Sequence, residues 1–122
     1  MRLLLAVLAL IPVAAYAQPT NRDGERAFQR CYSCHSVIKD DKGLSGPNLN
    51  GLGERRVGSD PDFEYSKAFK IFSKRDKRWD KALLDRFLLN PEAMVPGNQM
   101  GFFGLKDAKE REAIVTYLLN GH

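Results

Sequence analysis

The densest apolar stretch of the 122-residue chain lies at its start. Residues 1–17 hold fifteen apolar side chains and one charge, Arg2, with an unbroken apolar run over 3–11, then Pro12 and the small-residue pattern Ala15-Tyr16-Ala17. A basic start, a short apolar run and a small-residue site are the layout of a secretory signal peptide, cleaved between Ala17 and Gln18. The run is too short to cross a bilayer as a stable helix. The expectation is a cleaved signal over 1–17 and one soluble, exported domain over 18–122, in a bacterial periplasm.

Beyond residue 17 the apolar positions recur at helical spacing in patches. Residues 21–29 read as a helix, with Thr20 or Asn21 as N-cap, Asp23 and Glu25 in the first turn, and Ala27 and Phe28 as its apolar side. Over 39–62 the pattern dissolves into glycine, proline, asparagine and charge. So long an irregular segment inside a domain is usually functional. A short helix is expected over 67–72 and a firmer one over 81–89, where Leu84, Phe87 and Leu88 share a face and Asn90-Pro91 ends it. A second loop, 91–104, carries Pro96-Gly97 and Met100. The last helix has Asp107 and Glu110 three apart as a cap pair, with Glu110 expected to reach back to the Asp107 N–H. Ala108, Arg111, Ile114, Val115 and Leu118 follow the helical period, and Asn120-Gly121 closes it. No strand-like alternation or internal repeat occurs. The predicted class is all-α, with three or four short helices joined by two long loops.

Composition changes this picture in one respect. The full chain is 43% apolar with a net charge of +4, but residues 18–122 hold only 38 apolar residues in 105, about 36%, at net +3. Roughly 45% is ordinary, so the apolar supply is thin for a protein-only core. The length excludes a multi-domain enzyme, and two cysteines exclude a disulfide-rich scaffold. A net charge of +3 on an exported protein argues against nucleic-acid binding.

Both cysteines stand beside one of the two histidines in Cys31-Tyr32-Ser33-Cys34-His35. Two thiols two residues apart, followed at once by an imidazole, form the attachment signature of a c-type haem. The thiols can add to the two vinyl groups on one porphyrin edge, which leaves His35 beneath the iron. Three other readings compete: a Cys31–Cys34 disulfide, a thioredoxin-like pair, and a zinc site. The second needs a βαβ pattern that is missing. The third needs four ligands, and His122 is the remaining strong candidate. A low-spin haem needs a sixth ligand, for which Met94, Met100 and His122 are available. Met100 is favoured, since the turn-rich Pro96-Gly97-Asn98-Gln99-Met100 loop can fold over a haem face and a thioether suits iron. Met94, three residues after Pro91, reads as packing. Tyr65 and Trp79 each carry a polar hydrogen that wants an acceptor when buried. Haem propionates would serve, with Arg55 to balance their charge.

The chain resembles class I c-type cytochromes, of the mitochondrial cytochrome c type and its periplasmic bacterial relatives, over residues 24–119. The shared landmarks are CYSCH, Gly46-Pro47-Asn48-Leu49, Gly51-Leu52, Arg55, Gly58, Tyr65-Ser66, Trp79, Leu88-Leu89-Asn90-Pro91, the PGNQM loop with Phe102, and Tyr117-Leu118. The resemblance implies a cytochrome c fold wrapped around one covalent haem c. Cys31 and Cys34 would form thioethers, and His35 and Met100 the axial bonds. The Pro47 carbonyl would accept the second ring N–H of His35. Tyr65 and Trp79 would hold a propionate with Arg55 nearby, and Phe102 would cover the haem beside Met100. The first helix, through Gly24 and Phe28, would cross the last near Tyr117 and Leu118. The implied function is single-electron transfer between respiratory or periplasmic redox proteins, not enzymatic turnover.

Three departures stand out. Phe87 replaces a tyrosine whose hydroxyl often touches the methionine ligand. The Tyr65–Trp79 interval is longer and rich in Lys70, Lys74, Arg75, Lys77 and Arg78. Glu92 and Gln99 replace two of the lysines that ring the haem edge in mitochondrial relatives, while Arg30 and Lys106 remain. The basic run is either a solvated loop or a displaced docking patch for acidic partners. The rival from another class is a peroxidase-like haem enzyme or ligand sensor with a labile sixth position.

Overall fold

Short polar caps start every helix. Thr20 and Asp23 exchange side-chain-to-backbone hydrogen bonds at the start of α1 (Asn21–Phe28), forming a capping box. Ser66 caps α2 (Lys67–Ser73) by accepting from the Phe69 N–H, and Asp80 caps α3 (Lys81–Leu89) by accepting from the Leu83 N–H. Asn90 caps α4 (Pro91–Met94), and Asp107 caps α5 (Ala108–Asn120). Two 3₁₀ turns, Gln29–Cys31 and Leu52–Glu54, complete the ordered elements. This computed structural model describes Pro12, residues 16–74 and residues 77–122. Most of the expected signal at 1–17 lies outside the described residues, as do Arg75 and Asp76.

The all-α expectation holds: no strand forms among the described residues, and one isolated antiparallel bridge joins Arg56 to Arg78. The helix inventory needs correction. A one-turn helix, α4, sits in what reads as loop, because the same Asn90-Pro91 pair that ends α3 starts a new turn. Asn90 accepts from the Ala93 N–H at 3.1 Å, and Pro91 occupies the first helical position, where a missing N–H costs nothing. The last helix also departs in detail. Asp107 accepts from the Glu110 N–H at 2.9 Å, but the Glu110 carboxylate turns outward to pair with Arg30 at 3.2 Å.

α1 packs across α5, and α3 packs on the same helix from another side. The crossing depends on Gly24, since a Cβ there would lie 2.4 Å from Tyr117 Cβ and 2.8 Å from the Ala113 carbonyl oxygen. Phe28, Ile114 and Val115 are almost wholly buried at this junction, each burial stabilising by roughly 1.5–3 kcal/mol. Arg111 is buried as well. Its Nε donates to Asp85 at 2.7 Å, and Nη1 donates to the Leu105 and Lys106 carbonyls at 2.9 and 3.2 Å. One guanidinium thus ties α5 to α3 and to the chain entering α5.

The first long loop is fixed by asparagine side chains. Asn48 Nδ2 donates to the Ile38 and Asp41 carbonyls at 2.8 and 2.9 Å, and Asn50 Nδ2 donates to the Val37 carbonyl at 2.8 Å. Segment 36–50 therefore holds a defined path without regular structure. No helix among the described residues is long and apolar enough to cross a membrane.

Candidate haem site

The helices leave a cleft of about 280 Å³ between α1, α3, α5 and the two long loops. Its walls are apolar: Phe28, Leu52, Phe69, Leu84, Phe87, Leu88, Ile114 and Leu118. Cys31, Cys34, His35 and Met100 line the same cleft, as do Pro47, Arg55, Tyr65 and Trp79. Residues separated by up to 90 positions thus meet at one concave surface.

The CxxCH segment is held as a tight turn. The Cys34 and His35 N–H groups both donate to the Cys31 carbonyl, at 3.1 and 2.9 Å, and the Gly46 N–H donates to the Cys34 carbonyl at 2.8 Å. Both cysteines are free. Burial pushes the Cys31 thiol up to about 11, with Arg30 offsetting part of the rise. Hydrogen bonds from Ser45 and Ser33 hold the Cys34 thiol below its ordinary value.

His35 Nδ1–H donates to the Pro47 carbonyl at 2.8 Å. That bond fixes the tautomer and leaves the Nε2 lone pair free to coordinate. Burial pushes the imidazole pKa down, against the opposing pull of the Pro47 carbonyl, so the ring stays neutral, as a metal ligand must be. The ring needs a glycine beside it. A Cβ on Gly46 would fall 2.5 Å from His35 Cε1 and 2.9 Å from the Cys34 carbonyl oxygen.

At the polar end, the Tyr65 hydroxyl accepts from the Asp60 N–H at 3.1 Å, and its ring stacks on Phe69 at 5.2 Å. Burial raises the Tyr65 pKa, so the phenol keeps its hydrogen to donate. Arg55 Nη1 donates to the Asn48 and Asn50 carbonyls at 2.8 and 3.0 Å, and Arg55 lines the cleft together with Tyr65. Trp79 is buried, with its ring 5.4 Å from Phe87.

The other ligand candidates are engaged elsewhere. Met94 packs half-buried on the core. His122 is exposed, with Nε2 2.7 Å from the Val37 carbonyl and its ring against Tyr117. No group of three histidine, cysteine or acidic residues capable of holding a metal ion occurs among the described residues. Phe102 is half-buried against the core and is not among the residues that line the cleft. Sequence reasoning missed the structural roles of Gly46, Asn48 and Asn50. Asparagines spaced through a glycine- and proline-rich segment are a signal of side-chain-pinned turns.

Two thiols, a neutral imidazole and a thioether around an apolar slot with a cationic, hydroxylated end fit an amphiphilic iron porphyrin. They define a c-type haem protein. The family model for cytochrome c matches residues 22–122. Cytochrome c2 of Rhodomicrobium vannielii is 38% identical over 109 residues, 89% of this chain and 85% of the relative. Cytochrome c2 of Afifella marina is 41% identical over 95 residues, 78% and 77% of the two chains. Cytochrome c of Sesamum indicum is 40% identical over 98 residues, 80% and 86%. The chain belongs to the cytochrome c family. As such it carries one covalently attached haem c and is an electron carrier, not an enzyme.

Proposed function

We propose that this protein is a soluble, exported carrier of single electrons in the periplasm, formed by residues 18–122 after loss of the 1–17 signal, with His35 and Met100 as axial iron ligands. One observation carries this reading: His35 and Met100 line the same apolar cleft as both thiols, while Met94 and His122 face other partners. When bound, the haem supplies reversible ferric–ferrous exchange. The chain supplies everything else. Cys31 and Cys34 tether the group covalently, and Pro47 orients the His35 ring. Met100 fills the sixth position and keeps small ligands out, which separates a carrier from a peroxidase-like enzyme or a ligand sensor. Tyr65, Trp79 and Arg55 hold the propionates, two by hydrogen bonds and one also by charge. The apolar walls exclude water.

The partners are a donor and an acceptor redox protein with acidic docking surfaces, since charge complementarity chiefly raises association rate. Within the basic run 70–78, three cations are already pinned. Lys70 pairs with Glu64, Lys77 Nζ sits 4.3 Å above the Phe72 ring, and Arg78 donates to the Glu54 carbonyl at 2.6 Å. Glu64 offsets the charge of Lys70, but Lys77 and Arg78 are held by uncharged groups and keep theirs, so the patch remains suited to steering an acidic partner.

The test is optical spectroscopy of the wild type and Met100→Ala, each with and without carbon monoxide. A six-coordinate wild type that resists carbon monoxide and a variant that binds it readily are expected. Free uptake of carbon monoxide by the wild type at neutral pH would overturn the carrier assignment.

A further inference from the structure

Glu92 stands where a docking lysine is expected, and its carboxylate is turned inward along its own loop. One oxygen, Oε1, accepts from the Gly97 N–H at 2.9 Å, and the other, Oε2, accepts from Asn98 Nδ2 at 3.1 Å. Asn98 Nδ2 also donates to the Val95 carbonyl at 3.0 Å, and Asn98 Oδ1 accepts from the Met100 N–H at 2.9 Å. The amide of Asn98 therefore has acceptors on its nitrogen side and a donor on its oxygen side, so a flipped amide would lose all three bonds. A continuous relay runs from a carboxylate on α4 through one side-chain amide to the backbone of Met100. Asn98 itself lines the cleft.

We infer that Glu92 is a positioning residue for Met100: its carboxylate, with one oxygen on the Gly97 N–H and the other on Asn98 Nδ2, locks the Asn98 amide and thereby presets the loop with the thioether over the cleft. The inference rests on Met100 being the sixth ligand. A preset loop loses little conformational freedom when the thioether engages, so an outside ligand must displace a group that is already in place. A flexible loop would give up the position more readily. Glu92 is exposed, so each bond is worth the modest net value of a hydrogen bond in water rather than that of a buried ion pair. Loss of two such bonds raises the affinity of a competing ligand about tenfold.

The experiment is an imidazole titration of the ferric holoprotein, followed through loss of the long-wavelength thioether-to-iron charge-transfer band, for wild type, Glu92→Ala, Glu92→Gln and Met100→Ala. Imidazole is expected to bind Glu92→Ala about tenfold more tightly than wild type. Glu92→Gln, which keeps a single acceptor oxygen, should fall between them. Lys81→Ala, which removes a surface ion pair to Glu112, is the comparison for generic destabilisation and should leave imidazole affinity unchanged. Thermal unfolding of each variant separates the two effects, since a merely structural Glu92 would lower the midpoint without changing imidazole affinity. Wild-type affinity in Glu92→Ala, with Met100→Ala still opening the site, would overturn this inference alone. A wild type that lacks the charge-transfer band and binds imidazole as tightly as Met100→Ala would overturn the ligand assignment beneath it.

Discussion

Gly24→Ala sets two opposing effects against each other, and the geometry decides between them. Gly24 lies inside α1, where alanine is favoured by roughly 0.5–1 kcal/mol because it loses less backbone freedom on folding. Against that, the new Cβ would lie 2.4 Å from Tyr117 Cβ, 2.8 Å from the Ala113 carbonyl oxygen and 2.9 Å from Tyr117 Cγ. Carbon atoms rest at roughly 3.5–4.0 Å, so the shortfall exceeds about 1 Å. None of the opposing atoms is the far end of a flexible side chain, so rotation cannot relieve the contact and α1 must move off α5. Overpacking of this kind costs about 1–3 kcal/mol, and backbone on both sides places it at the upper end. The expected net loss is about 2 kcal/mol, a fall of roughly 10 °C in Tm for a domain of this size. Guanidinium unfolding of the holoprotein, followed by far-UV circular dichroism, measures it. The midpoint should drop with an unchanged denaturant slope, and the reduction potential should stay put because Gly24 does not line the cleft. A variant as stable as the wild type, or more so, would show that helix propensity wins and that the α1–α5 approach is looser than the structure has it.

Two further outcomes test the site and its support. Phe87→Tyr adds a hydroxyl to a cleft-lining ring; if it donates to the Met100 sulfur, it withdraws electron density and should raise the potential by roughly 40 mV in a redox titration, whereas an unchanged potential would sink the idea. Burial, with help from the neighbouring Tyr32 hydroxyl, raises the Tyr117 pKa from 10.0 to about 12. The unfolded chain then releases this proton first, so stability falls as pH rises from 10.0 towards about 12. Tyr117→Phe should flatten that part of the curve in urea titrations at stepped alkaline pH.

Local chemistry was legible in the amino-acid sequence where it depends on neighbours in the chain. The haem-attachment signature, the Thr20 and Asp107 caps, and the Lys81–Leu89 helix all rest on spacings of four or fewer. Interactions that join distant positions left no such mark. Nothing in the spacing of Asp85 and Arg111 announces their 2.7 Å pair, and the Glu92–Asn98 relay resembles an ordinary polar loop until its backbone path is known.

The apolar shortage resolves through the same distinction. Helical periodicity correctly marks Leu84, Phe87 and Leu88 on α3 and Ile114 and Leu118 on α5 as inward-facing, yet all five line the cleft. Much of the apolar face of these helices is therefore spent on a group that is not amino acid. About 36% apolar residues in 18–122 is too little to fill a protein-only interior, but it suffices when the centre is a porphyrin and the helices need only enclose it. The long polar loops follow from that geometry. Backbone that closes over a flat, rigid group need not carry an apolar stripe of its own, provided its turns are pinned by side chains such as Asn48, Asn50 and Asn98. Cutting one of those pins should loosen the grip on the iron before it unfolds the domain, because the α1–α5 and α3–α5 contacts lie elsewhere.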